Sequence, residues 1–546
     1  MLRVFPARTL HRNPRLFAGP IALLVISVAT ATVAAGYDST WTGFLGDSTR
    51  LVTGSDVRAT FGGEALATDA SSVLDSSTYA KLPGVAAVVP ALREPATLGD
   101  QNITAIGISI DRATNVIGPQ SSVMEVSNLV QTLRRKKDPL PGIQLPKGAT
   151  SLTLHQSTAS SGAGPASVLT TLWLADDLGD LAPVSLASQK IAVQPTVAAV
   201  TGSVSVPPAG PWRIVAIDVD VTASHQLRDF TFALDSISAA TNTGSRSLNV
   251  ASPASWKPQT GVFNNGTSTA GLAGSIGFSR TTIRGGTNTP VRLMPPGTAT
   301  VPIMVSRALA QANGLRIGDR VEVEGQWATF SATVSGIVPL VPGTTSQASL
   351  IGDLPSIDNG WLRSSEQVPA LHELWIAGTP DTAIAHQVAD AGNARVMAAS
   401  GSVSRRFVGG AVTGLWIGAV GSAAFAIVTL IASLASVVGR RGREVGVLRA
   451  LGMSARDQAR MRRSEITVVI AFGLVVGVVT GAGMLVLTVG TLARSSTPEA
   501  PAVLPLLLRF DPVAPVLIVV GVVVISVFII GRYLAVVLGA ARVAKP

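Results

Sequence analysis

FVGGAVTGLWIGAVGSAAFAIVTLIASLASVV, residues 407–438, contains no Asp, Glu, Lys, Arg or His, and GRRGREVGVLRALGMSARDQARMRR, residues 439–463, follows it directly. The first stretch exceeds the roughly 20 apolar residues that a helix needs to cross a bilayer core. The second holds Arg440, Arg441, Arg443, Arg449, Arg456, Arg460, Arg462 and Arg463, the basic flank that keeps a membrane loop on the cytoplasmic side. The pair therefore reads as a membrane helix that returns to the cytoplasm.

Working outward, residues 17–37, 466–492 and 513–531 are also free of charge and long enough to span. Arg3, Arg8, Arg12 and Arg15 precede the first of these, and Arg532, Arg542 and Lys545 follow the last. The basic rule then places residues 1–16, 439–465 and 532–546 in the cytoplasm and residues 38–406 and 493–512 outside. Small residues at Ala29, Ala31, Ala34 and Ala35 resemble a signal-peptide end, but the apolar run is long for one, and an uncleaved anchor is expected. The expected fold class is a membrane α-helical protein of four transmembrane helices in a 1+3 arrangement, with a large extracytoplasmic domain of α/β and β-sandwich parts.

Composition agrees. Of 546 residues 47% are hydrophobic and only 14% charged, where a soluble chain carries about a quarter. The net charge of +10 does not point to nucleic acid, because the arginines sit beside the apolar runs. There is no cysteine, which excludes disulfides, thiolate catalysis and cysteine-ligated metals. The richness in Ala, Val, Gly and Arg, with 3 Tyr, hints at a high-GC bacterial genome.

The outer region divides by its patterning. Residues 38–146 and 291–406 mix strand-like and helical runs, while 147–290 is strand-rich and suggests an inserted sandwich. Strands are expected at 56–60, 85–90, 103–109, 302–305, 318–325, 329–338 and 373–378 in the flanking halves. Helices are expected at 70–82, 307–313 and 381–391. In the insert, strands are expected at 151–155, 167–173, 189–193, 212–221 and 229–237, with 239–286 as loops and edges. Arg134, Arg135, Lys136 and Lys137 ahead of Pro139 and Pro141 read as a basic linker.

Catalytic motifs are missing. No phosphate-binding G-x-x-x-x-G-K-[ST] loop and no G-x-S-x-G elbow occur. His372-Glu373 begins like a zinc-protease helix, but Ile376 stands where the second ligand belongs, and 371–377 reads as a half-buried strand. Asp176-Asp177 reads as a turn, with an isolated calcium site as a minor alternative. No catalytic residue, metal ligand or cofactor is assigned to this chain. Charge-free spans also lack the ionisable residue that ion-coupled carriers need at membrane depth, so the energy source belongs to a partner.

Two glycine series lie at helical spacing: Gly410, Gly414 and Gly418, and Gly473, Gly477 and Gly481. Small residues four apart let helices approach closely in lipid, within one chain or between subunits. In the loop, Val445, Leu448 and Leu451 recur at helical spacing, with a C-cap at Gly452 and an N-cap at Ser454 for the next helix. Periodicity alone fits an amphipathic helix that presses on a partner and a plain basic loop equally.

The run Arg443-Glu444-Val445-Gly446-Val447-Leu448-Arg449-Ala450-Leu451-Gly452-Met453-Ser454, with Glu465 opening the next span, closely resembles the FtsX-like permease family. That family includes the MacB and LolC/LolE permeases of type VII ABC transporters. The resemblance covers about the last 140 residues in motif, and the 1+3 topology extends it to the whole chain. It implies that Arg443, Glu444, Val447, Leu448, Arg449, Leu451 and Gly452 form the helix that couples to a cytoplasmic ATPase. It implies two ATPase copies binding ATP and Mg, a porter-like outer domain, and a stalk above the second span. It implies mechanotransmission, in which ATPase closure moves the outer domain without a central substrate channel. A second permease chain is implied, as a homodimer or, in preference, a heterodimer, because many high-GC Gram-positive relatives join two four-helix halves. Unlike MacB, this chain has no fused ATPase, and its insert differs from the standard one.

The implied role is export or extraction of a lipid, peptide or lipoprotein, or control of a cell-wall hydrolase, at the cell membrane; an outer lipoprotein or hydrolase partner belongs to that reading. The competing class is a membrane-anchored receptor whose sandwich stacks a carbohydrate on Trp173 and Trp212, although buried core tryptophans are the plainer reading.

Overall fold

The computed structural model describes residues 14–543 except 64–65, 71–72, 118–125, 162–163, 194–197, 209, 250–254, 260–261, 264–268, 298–299, 401–403, 451–453, 496–503 and 505. The chain divides into two compact units: Met1–Asp47 with Ser402–Ala500 and Pro505–Pro546, and Ser48–Gly401 with Pro501–Leu504.

The first unit is helical. Its helices are the first part of Pro14–Thr53, then Ser404–Ala450, Ala455–Met484 and Val513–Val543. A π turn, Leu485–Val489, and a short helix, Gly490–Ser495, prolong the third. Among the described residues, Ala18–Thr53, Gly409–Ala432 and Thr467–Ser495 are long and apolar enough to cross a membrane. The last helix contributes a shorter apolar stretch, Pro515–Ile529, where the sequence expectation has a fourth full span.

Helix Ser404–Ala450 differs from expectation in another way. The sequence reading ends a span at 438 and begins a separate short helix near 443, yet one helix runs through both. Gly439 and Gly442 cost about 1 kcal/mol each in a helix interior, which is too little to stop one that contains no proline. The helices meet around Leu24, Val28, Ala423, Ala426 and Val522. A second cluster gathers Tyr37, Trp41, Leu45, Val412, Leu485, Val489 and Ala493. The stretch before the last helix is clamped to the first one. Ser39 Oγ and Thr40 Oγ1 donate to the Arg509 carbonyl at 2.7 and 2.9 Å, and Arg509 Nη2 donates to Asp47 Oδ2 at 2.9 Å.

The second unit is built on a nine-stranded mixed sheet. Its strand order is Arg320–Gly325, Thr329–Val338, Thr300–Ser306, Ser349–Asp353, Gln101–Ile108, Val85–Leu98, Glu373–Gly378, Val57–Phe61 and Ala394–Ala398. Strands before residue 110 and after residue 299 thus share one sheet. Between them the chain makes a seven-stranded and a six-stranded antiparallel sheet from strands spanning 143–294. These two sheets enclose a core that includes Leu152, Leu172, Ile217, Phe230, Phe232, Trp256 and Phe278.

Several expectations shift. The basic stretch 134–137 is no linker: it ends the helix Val126–Lys136, which buries Val126, Leu129, Val130 and Leu133. Three cations in its last turn complement the negative end of the helix dipole. The helix expected at 70–82 is confined to Ser76–Ala80, started by Asp75, whose Oδ1 accepts from Ser77 N at 3.1 Å. The region 239–286 contains a core strand, Ile276–Ile283, which pairs with Leu227–Thr241. The strand Glu373–Gly378 is buried on both faces, not half-buried, because Trp375 packs in a cluster with Ile106, Ile108 and Leu133 on one face and Leu374 and Ile376 pack with Ile384 and Val388 on the other.

The sandwich is fastened to the nine-stranded sheet by a buried ion pair. Arg292 Nε and Nη2 donate to Asp218 Oδ1 and Oδ2 at 2.7 and 2.8 Å, and Arg292 Nη1 donates to the Leu362 and Ser365 carbonyls at 3.1 and 2.8 Å. Leu362 lies on helix Leu354–Ser364, which packs on the sheet, so a guanidinium closes the joint with geometry that satisfies most of its donors.

Candidate functional site

The chain enters the nine-stranded sheet at a joint built from the last turn of helix Pro14–Thr53 and the strand that follows. Leu51 is fully buried, and its carbonyl accepts from Gly343 N at 2.7 Å. Gly54 ends the helix with φ 85°, the left-handed conformation that glycine adopts without penalty. Gly343 sits at φ 88°. Both glycines abut the indole of Trp375: a Cβ at Gly54 would stand 2.5 Å from the ring, and one at Gly343 would also overlap it.

Below the indole lies a buried charge. Glu373 is fully inaccessible to solvent. Trp375 Nε1 donates to Glu373 Oε1 at 2.9 Å, and Arg93 Nε donates to Oε2 at 3.0 Å. Arg58 Nε stands 3.9 Å from Oε1. Arg58 Nη1 also donates to the Val52 carbonyl at 2.9 Å and the Gly343 carbonyl at 3.1 Å, and Nη2 lies 3.4 Å from Met397 Sδ. Burial pulls the Arg58 guanidinium below its usual value, Glu373 opposes that, and Arg93 adds to it. One carboxylate serving two guanidiniums and an indole is an arrangement in which removing a member exposes the others to desolvation. The joint therefore binds the helix end, the Val57–Phe61 strand, the loop at Gly343 and the Glu373–Gly378 strand into one rigid piece. Its chemistry is structural: it holds position and has no nucleophile.

The sequence reading passed over this joint. It took His372-Glu373 only as a failed zinc motif. A buried glutamate inside the apolar run ELWIAG was the available signal, since such a group needs cationic partners.

The predicted glycine series separate. A Cβ at Gly473 would come within 2.8 Å of Leu24 Cδ2, one at Gly477 within 2.8 Å of Val28 Cβ, and one at Gly481 within 2.7 Å of Thr32 Cβ and 3.0 Å of the Ala29 backbone. This series lies against the first helix of the same chain. Gly410 and Gly414 have nothing within 4 Å of that position among the described residues, and Gly418 has only Thr30 Cγ2 at 4.0 Å.

Arg443, Glu444, Val447, Leu448 and Arg449 fall on helix Ser404–Ala450, of which only the backbone is described there; Leu451 and Gly452 lie outside the described residues. Trp173 and Trp212 are buried: Trp173 Nε1 donates to Asp218 Oδ2 at 2.8 Å, and Trp212 Nε1 donates to the Pro207 carbonyl at 3.0 Å. Neither offers a ring face to a sugar. Asp176 lies in the expected turn, and among the described residues no group of three or more His, Cys, Asp or Glu side chains is disposed to hold a metal ion.

No curated protein matches the chain. A family model does: residues 416–539 match the FtsX-like permease C-terminal region, a stretch that begins within helix Ser404–Ala450 and ends within helix Val513–Val543.

Proposed function

We propose that this FtsX-like permease is the transmembrane subunit of an ABC transporter in which a separate cytoplasmic ATPase drives movement of the outer domain. The observation that carries the reading is the family match over residues 416–539, which includes the whole Arg443–Gly452 segment. The unbroken helix Ser404–Ala450 supports it. A push delivered to its cytoplasmic end travels along a hydrogen-bonded rod without a hinge.

In this reading Val513–Val543 completes four spans, and residues 48–401 stand outside the membrane. Arg443, Glu444, Val447, Leu448, Arg449, Leu451 and Gly452 seat in the ATPase. Two ATPase copies supply ATP and Mg, and a second permease chain packs on the open Gly410–Gly414 face of the second span, where close helix approach is unhindered. The Arg58–Glu373–Trp375 joint passes displacement of the first helix to the sheet. The cargo is a lipid, peptide or lipoprotein to be extracted or exported, or the output is control of a cell-wall enzyme.

Purification of the tagged chain in mild detergent, compared with Glu444→Ala and Leu448→Asp, tests the proposal. Co-purification of a P-loop ATPase with the wild type, lost in both variants, is the expected result. A well-folded wild-type chain that carries no ATPase overturns it.

A further inference from the structure

Away from the helix joint, a second contact between sandwich and sheet is made by acids. The turn that links strands Gly164–Ala175 and Leu181–Ser185 is closed by Asp176 N donating to the Asp180 carbonyl at 3.1 Å. Gly179 of this turn, at φ 99°, abuts the Leu354 side chain at the start of helix Leu354–Ser364. Ser109 Oγ donates to the Asp177 carbonyl at 2.9 Å. The turn is thus seated on the nine-stranded half of the unit.

Three carboxyl groups are sealed in this contact. Asp176 and Asp180 on the turn and Asp358 on the helix are 4%, 3% and 2% exposed. Asp176 Oδ1 is satisfied by three backbone N–H groups, of Leu178, Gly179 and Asp180, each at 2.9 Å. Asp180 Oδ1 and Asp358 Oδ2 accept no hydrogen bond among the described residues. An ionised carboxylate buried with an unsatisfied oxygen and no cation is untenable, and a proton is the simplest remedy.

The surrounding charges make ionisation harder. Asp75, from the segment before helix Ser76–Ala80, repels Asp180, and Asp177 repels Asp176. Asp353, at the start of the Asp358 helix, repels Asp358. The nearby cation Lys137 is committed to Asp353 at 3.5 Å and Asp111 at 2.6 Å. Burial raises all three; repulsion by Asp176 adds to it at Asp180, and repulsion by Asp180 and Asp176 adds to it at Asp358, whereas at Asp176 the three backbone N–H groups oppose it. Asp176 rises to about 6, Asp180 and Asp358 well above the carboxylate range.

We propose that the seating of the sandwich turn on helix Leu354–Ser364 is a proton-held latch, closed when Asp176, Asp180 and Asp358 carry protons and released when they ionise. A raised carboxyl stabilises the closed state fully below the usual carboxylate pKa, and that stabilisation is lost as pH rises through the folded-state values. The latch therefore loosens from mildly acidic toward alkaline pH. In the topology proposed above it reads the pH of the outer compartment, but its chemistry does not depend on any ATPase.

The test is hydrogen exchange of the full chain in detergent from about pH 5.5 to about pH 8.5, corrected for the intrinsic pH dependence of exchange. Protection in 176–180 and 354–364 should fall about tenfold or more over that range, while the Arg292 joint and the sandwich core hold theirs. Asp358→Asn and Asp180→Asn, permanently neutral and isosteric, should keep protection at the alkaline end. Flat protection in the wild type, or Asn variants that track the wild type, overturns the proposal. Should a variant fail to fold, the infrared difference spectrum of the wild type decides alone. A buried protonated-carboxyl band lost on alkalinisation supports the latch, and no such band refutes it.

Discussion

Glu373 and Trp375, two residues apart on one strand and so on the same face of the sheet, are bonded to each other, the indole N–H donating to the carboxylate at 2.9 Å. The contact makes a hydrophobic side chain the lid of a buried charge. Trp375 also receives both glycines of the helix joint, so the strand, the helix end and the Gly343 loop share a single anchor.

Glu373→Ala should therefore destabilise the folded chain by about 3 kcal/mol, since the buried Arg58 loses its counter-charge, while Arg93, whose side chain is 36% exposed, is partly compensated by solvent. Chemical denaturation followed by circular dichroism measures it. A loss under about 1 kcal/mol would show that water already reaches the carboxylate.

Gly54→Ala and Gly343→Ala each combine a left-handed backbone with an overlap on Trp375, and each should cost about 1–3 kcal/mol. A control at Gly99, also left-handed at φ 58° but with open space around it, should cost less than either. Equal costs at the three positions would remove the indole from the account.

The two glycine series predict opposite outcomes in the membrane helices. Gly477→Leu meets Val28 and should lower thermal stability in detergent, whereas the Cβ at Gly414 meets nothing among the described residues and Gly414→Leu should leave it unchanged. On the proposed pairing, Gly414→Leu should instead abolish cross-linking to a second permease chain. Cross-linking that survives Gly414→Leu and fails in Gly477→Leu would reverse the assignment.

Asp218→Ala strands Arg292 and the Trp173 N–H together, and should cost about 3–5 kcal/mol. Limited proteolysis should then release the sandwich from the sheet. A guanidinium here pairs directly with a carboxylate, so this joint should hold at alkaline pH where the acidic contact gives way.

Asp75 sits below the usual carboxylate range, held there by hydrogen bonds from Ser77 and Thr78 to its exposed side chain. A lowered carboxyl contributes stability above its unfolded pKa and loses it as pH falls through the folded value. Asp75→Ala should cost about 0.5–1 kcal/mol near neutrality and nothing in strong acid. A cost independent of pH would mean that the hydroxyl contacts, not the charge, matter.

Much of the fold of the sheet-rich unit was legible locally. Thr329–Val338 alternates strictly, and Arg307–Asn313 is bracketed by the Ser306 cap and Gly314 in the left-handed conformation, so both are set by neighbours in sequence. The helix Val126–Lys136 was legible and was passed over: Val126, Leu129, Val130 and Leu133 have helical spacing, but the cations and the prolines after them drew the reading toward a linker. Ile276–Ile283 was obscured by the Ser, Gly and Thr around it, and becomes a strand because Leu227–Thr241 offers it an open edge.

The helix joint was not legible. Arg93 and Glu373 are 280 residues apart, and no local pattern marks them as partners. Of the membrane glycines, spacing alone could not say which series is filled from within, because that depends on which helix lies alongside.

The edge of the nine-stranded sheet sets how the sheet-rich unit would bear load. The strand after the first helix, Val57–Phe61, and the strand before the second, Ala394–Ala398, are antiparallel neighbours, with Val57 opposite Ala398 and Phe61 opposite Ala394. The residue where the chain enters this edge, Val57, and the residue where it leaves, Ala398, therefore lie at the same end of one ladder. Pulled apart, the two strands unzip rung by rung and resist weakly; drawn in the same direction, they move as a single plank and the ladder carries almost no strain. The sandwich is spliced in between Gln101–Ile108 and Thr300–Ser306 and lends no strand to that ladder, so a force applied at Val57 and Ala398 does not pass through its strands.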